Sequence, residues 1–271
     1  MKLFGRQGAN KPDAAPPPPP PAAPAPTPAV TAAQPASQAP PASLPGSDNA
    51  WLAEIGATVR TALDANPAAI RIQTPLLEIY AVKNFIRPEE CIELIAMIDR
   101  DVKPSLSLRK EGTPTRRTSE TCFLSADVPL VAEIERRIAT LLNQPLDHSE
   151  TVQGQRYTPG QQFKVHNDYF AAGQSYSDVV AAEGGQRTWT AMAYLDRPEG
   201  GGQTHFPKIP IAVPPTPGVL LVWNNLDRDG HPNRNSHHEG MMVEGGVKHV
   251  LTKWFRERPW HSSAASDALR R

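Results

Sequence analysis

From about Thr151 to Arg256 the chain is cut into short apolar segments by glycines and prolines, which limits the folds open to it. Val152–Tyr157, Gln162–His166, Thr188–Leu195, Gly218–Trp223, Gly240–Val243 and His249–Arg256 have the length and residue types of strands. Gly184-Gly185, Gly200-Gly201-Gly202 and Pro214-Pro215 stand between them as turn signals. Ahead of Thr151 the period is mostly helical. Ser47 or Asp48 is placed to cap a helix in which Trp51, Ile55, Val59 and Leu63 form one stripe, and Asn66-Pro67 ends it. This helix is expected on the outside of the core. Leu76–Val82 reads as a strand. Pro88 suits the first position of a second helix, with Ile92, Ile95 and Ile98 as its buried face. Asp127 and Pro129 open a third, with Val131, Ile134, Ile138 and Leu141 inward. Helices first and many short strands after predict an α+β chain, mainly β: a jelly-roll core with N-terminal helices flanking it.

Composition separates the ends from this core. Within the first 46 residues, those from 11 to about 46 are dominated by proline and alanine and include the run Pro16 to Pro21. Proline lacks the amide donor and favours polyproline II, and such a stretch has too little apolar side chain to offset the entropy of ordering. It is expected to be a disordered tail; the functional alternatives are a ligand for a proline-reading partner and a substrate of the protein itself. A helical extension over 47–75, a main domain over 76–262 and a C-terminal tail over 263–271 complete the division. The formal net charge is zero, so bulk charge points to neither nucleic acid nor an anionic membrane. No apolar run approaches the ~20 residues of a membrane span, and the first residues lack the apolar core of a secretory signal. The expectation is a cytoplasmic protein in which Cys91 and Cys122 are buried free thiols.

The chemistry-bearing string is Gln-Phe-Lys-Val-His166-Asn-Asp168-Tyr-Phe. Residues two apart in a strand point to one side, so the His166 imidazole and the Asp168 carboxylate can reach one ion. A distal histidine, His238, completes two histidines and one carboxylate, the ligand set of non-haem Fe(II) oxygenases with positions left open. His-x-Asp by itself is common, and a lone histidine is more often structural. Lys248, ten positions after His238, offers the positive charge that a dicarboxylate co-substrate needs. Val250, Thr252 and Trp254 share its strand face, so Thr252 can add a hydroxyl donor. Lys253 falls on the opposite face and is expected in solvent. His205, His231 and His249 read as exposed or structural, with His205 kept as a pocket candidate beside Thr204.

The strings around these residues raise the specificity. Arg156-Tyr157-Thr-Pro-Gly160-Gln, Gly201-Gly202-Gln-Thr204-His-Phe206-Pro207 and Lys248-His-Val-Leu-Thr252-Lys-Trp254 occur in that order around the histidines, with Arg117-Thr118-Ser119 upstream. From about Leu77 to Arg258 the chain resembles the prolyl 4-hydroxylase family of Fe(II)/2-oxoglutarate-dependent dioxygenases. The resemblance implies a double-stranded β-helix and Fe(II) on His166, Asp168 and His238. It selects His238 over His237, because the family's distal histidine precedes the co-substrate lysine by ten positions. It implies 2-oxoglutarate held by Lys248 with Tyr157 assisting, beside the Thr252 read from the strand face, together with O2 as co-substrate and ascorbate as a reductant. The reaction implied is hydroxylation of an unactivated C–H of peptidyl proline, with release of succinate and CO2. A peptide groove would involve Arg117, Ser119, Glu150 and Arg187; for the two arginines, plain surface charge is the competing reading. The family's tyrosine three residues before the first iron histidine is Phe163 here. Lys164-Val165 and Met241-Met242 also depart from its pattern, which leaves another residue or a small molecule open as substrate. A non-catalytic scaffold working through the proline-rich tail is the alternative of a different class.

Overall fold

The computed structural model describes residues 39–105 and 117–262; residues 1–38 and the predicted C-terminal tail 263–271 lie outside the described residues. In chain order the elements are α1 (Asn49–Ala65), β1 (Ala69–Arg71), β2 (Ile79–Val82), α2 (Pro88–Asp101), β3 (Lys103–Pro104), β4 (Glu120–Phe123), α3 (Pro129–Leu142), β5 (Gln153–Tyr157), β6 (Phe163–His166), α4 (Ser177–Ala182), β7 (Arg187–Tyr194), β8 (Gly200–Gly201), β9 (Thr204–Phe206), β10 (Ile211–Val213), β11 (Leu220–Asn224), β12 (His238–Gly240), β13 (Val243–Gly245) and β14 (Lys248–Arg256).

An eight-stranded sheet runs β1-β2-β11-β7-β14-β5-β4-β3, a four-stranded sheet runs β10-β9-β12-β6, and β13 pairs with β8. All the pairings are antiparallel. This is the expected jelly roll with helices beside it. β14 lies between β7 and β5, and each of its nine residues is buried, because both of its faces are covered. One apolar cluster joins Leu251 and Phe255 of β14 to residues of α1, α2 and α3, including Val59, Leu94, Ile98, Ile134 and Ile138. A second joins Val250 to Tyr157, Phe206 and Trp223 on the other face. Burying each such aliphatic side chain is worth ~1.5–3 kcal/mol.

Local signals set the helix ends. Asp48 accepts from the backbone N–H of Ala50 and Trp51 at the start of α1. Pro88 opens α2, and the Glu90 carboxylate reaches back to the Arg87 N–H at 2.8 Å. α3 ends at Asn143 in the left-handed region, φ 49°.

The faces of these helices differ from the expectation. In α1 the buried line is Leu52, Ile55, Val59 and Leu63, while Trp51 is half exposed. The helix contributes to the core rather than lying outside it. In α2, Cys91, Leu94 and Ile98 turn inward and Ile92 is 70% exposed. In α3, Leu142 is fully buried and Leu141 only partly. Cys91 and Cys122 are free and buried, as read from the sequence. The packed chain also starts ahead of Ser47: Leu44, assigned above to the tail, is buried against Phe170 and Val180. The single strand expected over Gly240–Val243 is two strands, β12 and β13, in different sheets. Gly201 explains the tight join. At φ +72° a Cβ there would sit 2.1 Å from the Met242 carbonyl oxygen.

Candidate metal centre

His166 on β6 and His238 on β12 are direct cross-strand partners, which brings their imidazole centroids to 4.2 Å. β6 ends at His166, and the bend that follows swings Asp168 back toward it. Asp168 Oδ1 lies 3.7 Å from His166 Nε2, and its Oδ2 lies 3.8 Å from His238 Nε2. One ligand atom from each of the three falls within 4.8 Å of the others. Among the described residues this is the only such group of histidine, cysteine and carboxylate side chains.

The tautomers follow from the partners. His166 Nδ1–H donates to the Lys164 carbonyl and His238 Nδ1–H to the Ser236 carbonyl, each at 2.9 Å. A carbonyl only accepts, so both Nε2 lone pairs are left facing the ion position, the arrangement that orients metal-binding histidines. The Thr190 hydroxyl donates to Asp168 Oδ2 at 2.8 Å and accepts from the Asn225 amide at 2.9 Å, fixing the carboxylate. Burial opposes ionisation of Asp168, yet His238, His166 and the Arg187 guanidinium outweigh it and hold the carboxyl below its usual range. Burial and then the neighbouring His238 push the His166 imidazole well below its ordinary value, keeping it neutral and available as a ligand. Two imidazoles and one carboxylate, oriented from behind with open space in front, fit a divalent ion of the Fe(II) type.

His237 is turned the other way, with its Nε2 3.4 Å from the Tyr169 hydroxyl. His205 also leaves the pocket: it pairs with Glu239 at 2.8 Å across β9 and β12, while Thr204 and Phe206 face inward. His231 contacts Asn49, and buried His249 sits between Asp196 and Asp99, so neither is a ligand.

Lys248 lies in the same pocket as the triad and is 2% exposed. Its Nζ sits 5.3 Å from the Tyr157 ring centroid and 5.6 Å from that of Tyr194. It has no ion-pair partner among the described residues. Burial pushes its ammonium down to about 7, against a small opposing pull from Asp196. Tyr157 is directly opposite Lys248 in the β5–β14 ladder. Thr252 shares the pocket face, as the alternation of β14 requires.

The two arginines of the expected groove are not surface charge. Arg187 grips Glu150 with two hydrogen bonds of 2.6 and 2.7 Å and lies 4.1 Å over the Trp254 ring at the pocket wall. Arg117 donates to Ser119 and Thr121 and sits 5.1 Å from the Phe163 ring. Phe163 in turn stacks on His166 at 3.5 Å, so it backs a member of the triad rather than merely edging the mouth. Lys253, expected in solvent, is 2% exposed and donates to Glu135 at 2.7 Å and to the Glu150 carbonyl. α3 covers that face, which the strand's own sequence does not reveal.

Sequence reasoning missed Gln155, Thr190 and Asn225. For the first two the only signal was strand parity, since Gln155 shares the face of Tyr157 and Thr190 stands between Trp223 and Trp254 in the ladders, whereas Asn225 follows β11 and gave none.

Residues 152–256 match the family model described as the 2OG-Fe(II) oxygenase superfamily. Prolyl 4-hydroxylase 1 of Arabidopsis thaliana is 33% identical over 205 residues, covering 66% of this chain and 69% of the relative. A putative prolyl 4-hydroxylase of Acanthamoeba polyphaga mimivirus is 31% identical over 191 residues, covering 69% and 77%. Among solved structures, the viral collagen prolyl hydroxylase from Paramecium Bursaria Chlorella virus-1 in its 2OG complex superposes with a TM-score of 0.53 at 25% identity. That match covers 66% of this chain and 95% of the other.

Proposed function

Because the chain belongs to the prolyl 4-hydroxylase family of Fe(II)/2-oxoglutarate-dependent dioxygenases, we propose that this pocket hydroxylates proline in a peptide. His166, Asp168 and His238 would hold Fe(II), and Lys248 would hold the distal carboxylate of 2-oxoglutarate. Bound Fe(II) supplies O2-dependent oxidation of an unactivated C–H, coupled to conversion of 2-oxoglutarate to succinate and CO2.

The observation that carries the reading is Lys248. A buried ammonium without a counter-ion is costly and becomes favourable only when an anion enters. Its place beside the triad fits a ligand that reaches from the metal to the lysine. The neutral fraction of Lys248 adds a consequence. At pH 8 a lysine with its pKa near 7 is mostly uncharged, and an entering carboxylate restores the charge, so binding should take up a proton. Calorimetry in buffers of different ionisation enthalpy measures that uptake.

On the substrate side, Ser119 and Glu150 are too buried to touch a peptide and act instead by fixing Arg117 and Arg187. Those arginines brace Phe163 and Trp254, the aromatic walls beside the metal. Ascorbate enters this reading only as a reductant that prolongs turnover. The test is mass spectrometry of proline-containing peptides incubated with Fe(II), 2-oxoglutarate and O2. One added oxygen on proline, with matching succinate, is expected. Succinate coupled to oxidation of a different residue or a small molecule, with proline untouched, would overturn the substrate while keeping the chemistry.

A further inference from the structure

Gln155 stands between the two hydroxyls of the proposed co-substrate subsite. It is 5% exposed and lines the pocket with Tyr157, Lys248 and Thr252. The Tyr157 hydroxyl donates to Gln155 Oε1 at 3.1 Å, and Gln155 Nε2 donates to Thr252 Oγ1 at 3.2 Å. One amide therefore ties a residue of β5 to a residue of β14 across the wall that faces Lys248.

An amide has an acceptor end and a donor end, and each hydroxyl has a single proton. In the observed arrangement Tyr157 spends its proton on Gln155, while Thr252 receives one and keeps its own free for the pocket. If the amide turns over, Nε2 donates to Tyr157 and Oε1 accepts from Thr252. Tyr157 then has the free proton and Thr252 does not. Both orientations satisfy the same partners, and in each, one hydroxyl donates into the pocket.

We infer that Gln155 is a positioning residue that makes Tyr157 and Thr252 alternative, rather than simultaneous, hydrogen-bond donors to the carboxylate held at Lys248. This rests on the reading that 2-oxoglutarate binds at Lys248. It predicts that the two hydroxyls back each other up. Removing one lets the amide serve the other, so the carboxylate still receives Lys248 and one hydroxyl.

The test is a double-mutant cycle read as equilibrium binding of 2-oxoglutarate to the Mn(II)-loaded full chain, with no turnover required. In the Gln155 background, Tyr157→Phe and Thr252→Val should each weaken binding less than about threefold. The double variant should weaken it about 10- to 100-fold, the worth of one hydrogen bond to a charged group. In a Gln155→Met background both hydroxyls donate at once, so each single change should cost about as much as the double does above, and the effects should multiply. Multiplicative effects in the Gln155 background would overturn the inference. If Gln155→Met does not fold, the wild-type background alone still decides. Gln155→Glu gives a second reading: its ionised carboxylate accepts from both hydroxyls and places an anion near Lys248, so affinity should fall about 100-fold, and unchanged affinity would overturn the inference. Failure of the underlying assignment looks different, because Lys248→Ala would then leave 2-oxoglutarate affinity intact.

Discussion

β14 carries two buried lysines on opposite faces, and they are treated in opposite ways. Lys253, under α3, is paired with Glu135 and capped by the Glu150 carbonyl. Lys248, in the pocket, has two tyrosine rings beside it and no counter-ion among the described residues. Burial lowers the ammonium pKa of both, and only for Lys253 does a neighbouring carboxylate substantially oppose it. The helix face is complete as folded. The pocket face leaves its ammonium without a counter-ion, a local cost to stability that an anion binding as proposed would relieve.

Substitutions should expose this contrast. The largest effect is expected on the pocket face. Lys248→Ala should weaken 2-oxoglutarate binding by roughly 30- to 5,000-fold, or ~2–5 kcal/mol, while metal affinity stays near wild type. Titration with 2-oxoglutarate and a separate metal titration measure the two. Next comes the helix face. Lys253→Met leaves Glu135 buried without its partner and should cost ~3–5 kcal/mol in urea unfolding, with 2-oxoglutarate affinity nearly unchanged. A substantial loss of affinity there would erase the distinction between the faces.

Lys248→Met should do the reverse of Lys253→Met and stabilise the ligand-free protein by ~1–4 kcal/mol below pH 7. The pH dependence has a definite sign. The unfolded lysine keeps its proton to about pH 10.4, whereas the folded one releases it near 7. Between those values the unfolded state binds more protons, so wild-type stability rises with pH and the advantage of methionine shrinks. Melting curves of both proteins at several pH values from about 6 to 10 follow it. The smallest effect is expected at His237, in contrast to its neighbour His238. His237→Ala should change stability by less than ~1 kcal/mol and leave metal affinity unaltered, whereas His238→Ala should abolish tight metal binding.

The residues readable from sequence are those whose geometry is local or whose order is shared with the family. His166 and Asp168 were found from a two-residue spacing, although the strand stops at His166 and a bend completes the approach. Thr252 was found from strand parity alone. α2 shows where parity fails. Ile92, Ile95 and Ile98 form an apolar stripe, but Cys91, Leu94 and Ile98 form another at equally good helical spacing. Only the surface that α2 packs against chooses between them.

By itself the sequence determined the jelly-roll class, the three side chains that converge as the candidate metal centre, the lysine in their pocket and the family, because turn residues, strand alternation and motif order are all written along one dimension. Tertiary structure decided what covers each face. It buried Lys253 under α3, turned His205 outward, made braces of Arg117 and Arg187, and set Gln155 between two hydroxyls from different strands. Those outcomes depend on partners distant in the chain, and the free energy of a buried charge or amide is fixed by those partners rather than by its own neighbours in sequence.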